Sequence, residues 1–422
     1  MAANTNVIYK KSTLTNGLRV VTEKLPSVRS AAIGVWIDVG SRNEAPDDNG
    51  ISHFIEHMVF KGTRKRSAKQ IASSLESLGG SLNGFTSREQ TCFTARILDE
   101  HIEDALDVLA DMVCNPKMST SDMSKERLVI CEEIKESLDT PADHIHDLFA
   151  RTYWGEHPLG QPIMGSLENV MKMTRRQTLE YRRNNYRAGS MIIAASGAVS
   201  HDKLVKAVRS KFCFEKGTAE SASSAEPISE IKVAVVPRDS TQTHFCIGFP
   251  GFRYNCNERM ATLCLSAYLG GGMSSVLFQK IREELGLAYQ VFTYHDFYRD
   301  SGIFGAYLAT DKAHLRQAYD VIMSELARVK RRRINGSALE QVKEQIKGHL
   351  TLGLESTSAR MSRLARQEIH TGGYSTLRQA LIRIEKVTAS DMLEVANEIF
   401  DPSRMAIAVL GPVKEDVFRD VA

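Results

Sequence analysis

The chain is short of paired cysteines, of long apolar runs and of charge of one sign. Its seven cysteines (residues 92, 114, 131, 213, 246, 256 and 264) form no Cys-x-x-Cys pair. An odd, scattered set excludes a disulfide scaffold and reads as reduced thiols in a reducing compartment. No stretch approaches ~18 uninterrupted apolar residues, so no membrane span is expected. Met1 to Ser12 hold no apolar run of the kind a secretory leader needs, and none is expected there. With 54 Lys+Arg against 51 Asp+Glu, the formal net charge is only +3. That is not the basic footprint of a dedicated nucleic-acid binder, and no nucleic-acid partner is expected. The one dense cationic run, Lys330-Arg331-Arg332-Arg333, follows an amphipathic stretch. It reads as a solvated helix C-terminus, where cations complement the macrodipole. The compartment implied is the cytoplasm, as in a bacterial protein; a mature mitochondrial matrix enzyme fits the same features.

What is present is ordinary globular composition, 42% hydrophobic and 25% charged over 422 residues. At ~150 residues per domain, that length suggests two or three domains. Strands are expected over 18–21 and 31–37, where β-branched residues cluster before Gly40-Ser41. Helices are expected over 50–61 and 67–78, the second with Ser67 as N-cap and Gly79-Gly80 as its stop. A strand pair follows at 82–86 and 91–98, then helices over 100–113, 119–138 and 142–154. Residues 216–228 are small and polar, with no capacity to build a core, and read as a linker.

The halves on either side repeat each other. Leu78-Gly79…Phe85-Thr86 returns as Leu285-Gly286…Phe292-Thr293, 207 residues on. Asp107-Val108 returns as Asp320-Val321 at 213, and Met191-Ile192-Ile193-Ala194…Gly197 as Met405-Ala406-Ile407-Ala408…Gly411 at 214. Ordered anchors with a slowly growing offset are the mark of a duplicated domain. Strands and helices do not strictly alternate, which favours α+β over a doubly wound parallel sheet. The expected architecture is two tandem homologous domains, each a largely antiparallel sheet packed against helices. They would span 1–215 and 231–422, with a linker at 216–230.

The strongest local signal is His53-Phe54-Ile55-Glu56-His57. On a helix, positions i and i+4 share a face, so both imidazoles can reach one metal ion. Glu56 borders that face, placed to work as a general base. This is the reversed form of the His-Glu-x-x-His metallopeptidase motif. A catalytic zinc takes a third protein ligand. The helix around 125–134 offers Glu126, Glu132 and Glu133; Glu126 and Glu133 share a face and Glu132 is turned by ~100°. Periodicity alone does not choose among them.

With this motif the chain resembles the pitrilysin-type (inverzincin, M16) zinc metallopeptidases, and within them the two-domain subunits of ~420 residues typified by the processing-peptidase β-subunit and bacterial homologues. In that family a Glu about 75 residues after the second His is the third ligand, and another functional Glu lies seven residues before it. The resemblance implies His53, His57 and Glu133 as ligands of one Zn²⁺ per chain, Glu56 as base and Glu126 behind the ligands. Glu132 remains the lesser alternative. The family also carries an Arg and a Tyr seven residues apart near the scissile carbonyl; Arg282 and Tyr289 have that spacing. A guanidinium or phenol there would stabilise the oxyanion. Asn83, Gly84 and Phe85 resemble the family's substrate-binding edge strand, which an extended peptide joins as one more strand. Gly270, Gly271 and Gly272 resemble its glycine-rich loop, with a plain interhelical turn as the structural alternative.

Shifted by 207, His53, Glu56 and His57 fall on Met260, Leu263 and Cys264, so the second copy carries no metal motif. The function implied is a zinc endopeptidase cleaving extended or unfolded peptides in a closed chamber. The chain holds both the zinc motif and the glycine-rich stretch, which implies a homodimer with Arg282 and Tyr289 acting across the interface. The alternatives are a non-catalytic scaffold and a β-type subunit needing a separate α partner.

Overall fold

The computed structural model describes residues 7–421. The first six residues of the segment expected to lack a leader, and Ala422, lie outside that range. Eleven strands are described: β1 Ile8–Thr13, β2 Arg19–Lys24, β3 Ser30–Ile37, β4 Ser81–Thr86, β5 Thr91–Leu98, β6 Met191–Gly197, β7 Lys232–Pro237, β8 Thr243–Gly251, β9 Ala288–Phe297, β10 Gly302–Thr310 and β11 Ala406–Gly411. The helices of the first half are α1 Ile51–Val59, α2 Ala68–Glu76, α3 Ile102–Cys114, α4 Thr120–Asp139, α5 Pro141–Trp154, α6 Leu167–Lys172, α7 Arg175–Asn185 and α8 His201–Lys211. Those of the second half are α9 Arg259–Gly270, α10 Leu315–Arg331, α11 Gly336–Gly353, α12 Thr357–Thr371, α13 Leu377–Glu385 and α14 Ala389–Ile399. Ser67 caps α2 through a capping box with Gln70, as its sequence position implies. The cationic run closes α10, and Lys330 donates to the Phe400 carbonyl.

The chain divides into two compact units. The first holds Met1–Lys135, Gln161–Ser223 and Gly353–Tyr374 around a sheet of order β1-β2-β6-β3-β5-β4. Only β2 and β6 pair in parallel. β3 is apolar almost throughout because both its faces are buried. Ala31, Ile33, Val35 and Ile37 enter the main core with α1 and α3. Ala32 and Trp36 face the other way, against Met361, Leu364 and Ala365 of α12. The second unit holds Glu136–Gly160, Ser224–Leu352 and Ser375–Ala422 around a sheet of order β7-β11-β8-β10-β9. Again one pair, β7 with β11, is parallel. Its main core joins β8 and β10 to α9, α10 and α14, while α5 covers the opposite face through Ile145, Phe149 and Tyr153.

The two sheets are therefore one topology twice: β7, β11, β8, β10 and β9 repeat β2, β6, β3, β5 and β4. The α+β duplication is present as expected. The units, however, are not the two stretches 1–215 and 231–422. α5 and α12 hold the same place in each half, and each packs in the unit built mainly from the other half. The segment 216–230 also differs from a bare linker. In the first unit the Ala219 N–H donates to Ser190 Oγ and Arg42 to the Ser223 carbonyl. In the second, the Ala225 N–H donates to Asp300, and Ala225 and Ile228 are buried. Composition concealed this because a strap needs only a few anchor points, not a periodic apolar face.

Candidate metal centre and active site

α1 buries Ile51, Ser52, Phe54, Ile55, Met58 and Val59 and leaves His53, Glu56, His57 and Phe60 half-exposed on one stripe. Gly50 offers no side-chain cap at its N-terminus. Glu44 fills that role from outside the helix. Its carboxyl accepts from the Gly50 N–H (2.7 Å), the Ser52 N–H (2.8 Å) and Asn49 Nδ2 (3.0 Å). An acidic group at this end complements the helix dipole. Burial pushes Glu44 up to about 7, against the pull of those donors. Glu44 is not visible as a site residue in the sequence, since it lies seven residues before the helix and obeys no period.

One ligand atom each from His53, His57 and Glu133 lies within 4.8 Å of the others. Among the described residues this is the one group of three or more such side chains close enough to share a metal ion. His57 Nε2 stands 3.5 Å from Glu133 Oε2. Glu132, the other carboxylate considered, is exposed and pairs with Lys135 at 2.7 Å, outside the group. Glu126 is buried, and its Oε2 lies 3.2 Å from His57 Nδ1. A carboxylate can only accept here, so Nδ1 is the donor and Nε2 is the ring nitrogen turned toward Glu133. Lys61 Nζ lies 2.7 Å from the second Glu126 oxygen. Burial, and then His57, push His53 down to about 4. Its Nδ1 is buried with no hydrogen-bond partner. Two imidazoles, one of them with an unsatisfied buried ring nitrogen, and one carboxylate form the three-ligand donor set that a catalytic zinc site uses.

Glu56 lies beside this group. Burial raises it above the usual carboxylate range, and the hydrogen bond from Thr86, the neighbouring His57 and then Glu133 modulate the shift. Thr86 Oγ1 donates to Glu56 Oε2 at 2.6 Å. Thr86 belongs to β4, the terminal strand of the sheet, whose outer edge has no strand partner among the described residues. Of the three β4 residues expected to meet substrate, Gly84 borders Glu56. A Cβ at Gly84 would stand 3.1 Å from Phe60 Cε2 and 3.2 Å from Glu56 Cγ. The Asn83 side chain accepts from the Gly84 N–H (2.9 Å), and Phe85 packs edge-on against Trp36.

In the second unit, Arg282 lies in a π-helical turn, Phe278–Glu284, just before β9. Its guanidinium carbon is 4.4 Å from the centre of the Tyr289 ring, which is 75% exposed, and 4.7 Å from that of Phe278. The predicted pair is thus stacked, cation on ring. Gly270 closes α9, where a Cβ would meet the Thr293 backbone at 2.4 Å. At Gly271 it would meet Ala267 of the preceding helical turn at 2.6 Å. Close packing therefore accounts for these two glycines, whereas Gly272 has only the Gln345 side chain nearby.

Comparison with known proteins gives the family of the chain. Residues 19–167 match the family Insulinase (Peptidase family M16), and residues 172–346 match the Peptidase M16 inactive domain. The chain is 39% identical over 405 residues to the uncharacterized zinc protease YmxG of Bacillus subtilis, covering 96% of this chain and 98% of that protein. It is 38% identical over 416 residues to an uncharacterized zinc protease of Streptomyces coelicolor, covering 96% and 90%. The crystal structure of a protease from Helicobacter pylori shares the fold, with a TM-score of 0.89 at 22% identity over 96% of this chain and all of that one. The chain belongs to peptidase family M16. The inactive-domain match begins within the first copy, at residue 172, and contains Met260, Leu263 and Cys264, the positions that correspond to His53, Glu56 and His57.

Among the described residues no helix is long and apolar enough to cross a membrane.

Proposed function

We infer that the chain is a zinc endopeptidase acting on extended peptides. The observation that carries this reading is the convergence of His53, His57 and Glu133 with Glu56 beside them on the same helix. Zinc, when held by His53, His57 and Glu133, supplies a Lewis acid that polarises a carbonyl and acidifies water. Glu56 accepts a proton from the attacking water and returns it to the departing amine nitrogen. Thr86 keeps one Glu56 oxygen occupied and so fixes which oxygen faces the reaction. The open edge of β4 receives the peptide as an added strand, main chain to main chain, with little demand on its side chains. That selects unfolded or extended substrates.

Arg282 and Tyr289 complete the site from a second copy of the chain, closing a chamber around the peptide. Their stacking and the exposure of Tyr289 support this, because that ring does no packing work in its own unit's core. Guanidinium and phenol then donate to the developing oxyanion.

The test is hydrolysis of a quenched-fluorescent, unstructured peptide of about 15–20 residues, long enough to lie along an edge strand on both sides of the metal. Wild type cleaves it, a chelator stops it and Zn²⁺ restores it. Glu56→Gln lowers the rate by about 10³ while keeping the metal. Metal-loaded wild type as inert as Glu56→Gln would end the peptidase reading. The shared site has its own test. Mixing inactive Glu56→Gln with inactive Tyr289→Phe recovers activity if the two residues meet across copies, and recovers none if they act within one chain.

A further inference from the structure

Behind the ligands lies a chain of contacts that the motif does not contain. The Lys61 ammonium sits 2.7 Å from one Glu126 oxygen and His57 Nδ1 sits 3.2 Å from the other. The Glu126 side chain is 5% exposed, so its two oxygens depend on these partners rather than on water. Lys61 is the second residue past α1, in the turn where its own N–H bonds to the Met58 carbonyl. His57 is carried by the last turn of the same helix. Ring and ammonium therefore grip, from one rigid helix end, a carboxyl group that arrives from α4. A buried carboxyl oxygen stripped of its donor is costly, and the group would turn to find another. His57 would lose its anchor with it.

We propose that Lys61 is a positioning residue of the metal centre. By holding Glu126 it fixes the orientation and tautomer of the His57 ring, and so tightens metal binding. The inference rests on the reading of His53, His57 and Glu133 as zinc ligands. Lys61 acts through Glu126 and His57, not on the peptide.

The experiment is a double-mutant cycle read as zinc affinity, by competition with a chromogenic chelator, with melting of the metal-free proteins in parallel. Lys61→Met keeps the aliphatic stem and removes the charge. It is expected to weaken zinc by about tenfold to a hundredfold, the usual effect of losing a partner behind a ligand. Lys61→Arg restores most of the affinity. In the Glu126→Gln background, Lys61→Met adds nothing further, because the path from ammonium to ring is already broken. A purely structural Lys61 would instead lower the melting point of the metal-free protein and leave the affinity of the folded protein unchanged. Wild-type affinity in Lys61→Met, or its full effect persisting in the Glu126→Gln background, overturns the proposal while the zinc site stands. A wild type that binds no stoichiometric zinc overturns the ligand reading and this proposal together.

Discussion

Thr86 and Thr293 occupy the same place in the two copies, on the edge strands β4 and β9, and each reaches across to the helix beneath. Thr86 Oγ1 holds the carboxylate of Glu56. Thr293 Oγ1 donates to the Ser266 carbonyl at 2.8 Å, with Ser266 Oγ also 3.1 Å away. The helices correspond as well. α9 keeps a half-exposed stripe at Met260, Leu263 and Ala267, where α1 has His53, Glu56 and Phe60. Cys264, in the place of His57, is fully buried, within electrostatic reach of Lys343 on α11. Strand, helix and crossing partner are thus all present in the second copy. What separates the candidate metal centre from ordinary packing is a handful of donors on the same scaffold.

The largest effect expected follows from that contrast. His57→Ala removes a ligand and abolishes both zinc binding and hydrolysis, whereas Cys264→Ala leaves zinc content and hydrolysis unchanged. Loss of the metal also shows in stability. At a free zinc concentration a hundredfold above Kd, binding stabilises the folded state by about 2.7 kcal/mol, so wild type melts lower with chelator and His57→Ala does not respond. A metal-dependent melting point that survives in His57→Ala would break the comparison.

A smaller effect comes from making the first copy more like the second. Gly84 corresponds to Val291, which is 5% exposed and packs into its own core. In the first copy the same volume is taken by Glu56 and Phe60. Gly84→Val is therefore expected to displace Glu56. A misplacement of about 1 Å at a reacting group costs on the order of 10²-fold. The expected result is kcat lowered about that far with zinc content intact. An unchanged kcat would mean that β4 does not set the position of Glu56.

Much of this was legible beforehand because it is periodic. The half-exposed stripe at 53, 56 and 57 follows from helical spacing, the Ser67 cap from local chemistry, and the duplication from ordered anchors at 207 to 214 residues. Choosing Glu133 over Glu132 needed the resemblance, since neighbouring carboxylates on one helix differ only by rotation. Glu44, Lys61 and Thr86 escaped notice for a different reason. Each meets its partner through the fold: a capping carboxyl from an upstream loop, an ammonium bound to another helix, a hydroxyl from a strand 30 residues beyond its acceptor. The exchange of α5 and α12 was equally silent. Both are amphipathic helices, and amphipathicity demands an apolar surface without saying whose.

The smallest expected effect is the sharpest test of the two threonines. Thr86→Val keeps shape and β-propensity and removes one hydroxyl. The bond it deletes runs to a carboxylate, and such bonds contribute about 1.5–3 kcal/mol. Glu56 would not lose all of this, because water can reach a half-exposed group and replace part of the donor. A kcat lower by about tenfold, equivalent to ~1.4 kcal/mol, is therefore expected, with KM and zinc content little changed. Thr293→Val deletes a neutral strand-to-helix bond, to the Ser266 carbonyl, in the second copy. It is expected to lower stability by about 1 kcal/mol, read from urea unfolding, and to leave kcat alone. If both variants instead lose stability equally and neither loses kcat, the hydroxyl of Thr86 merely ties strand to helix, as that of Thr293 does. The edge strand would then hold the peptide without also aiming the base. A loss of kcat confined to Thr86→Val would show that a threonine at the same place on the edge strand serves packing in one copy and catalysis in the other.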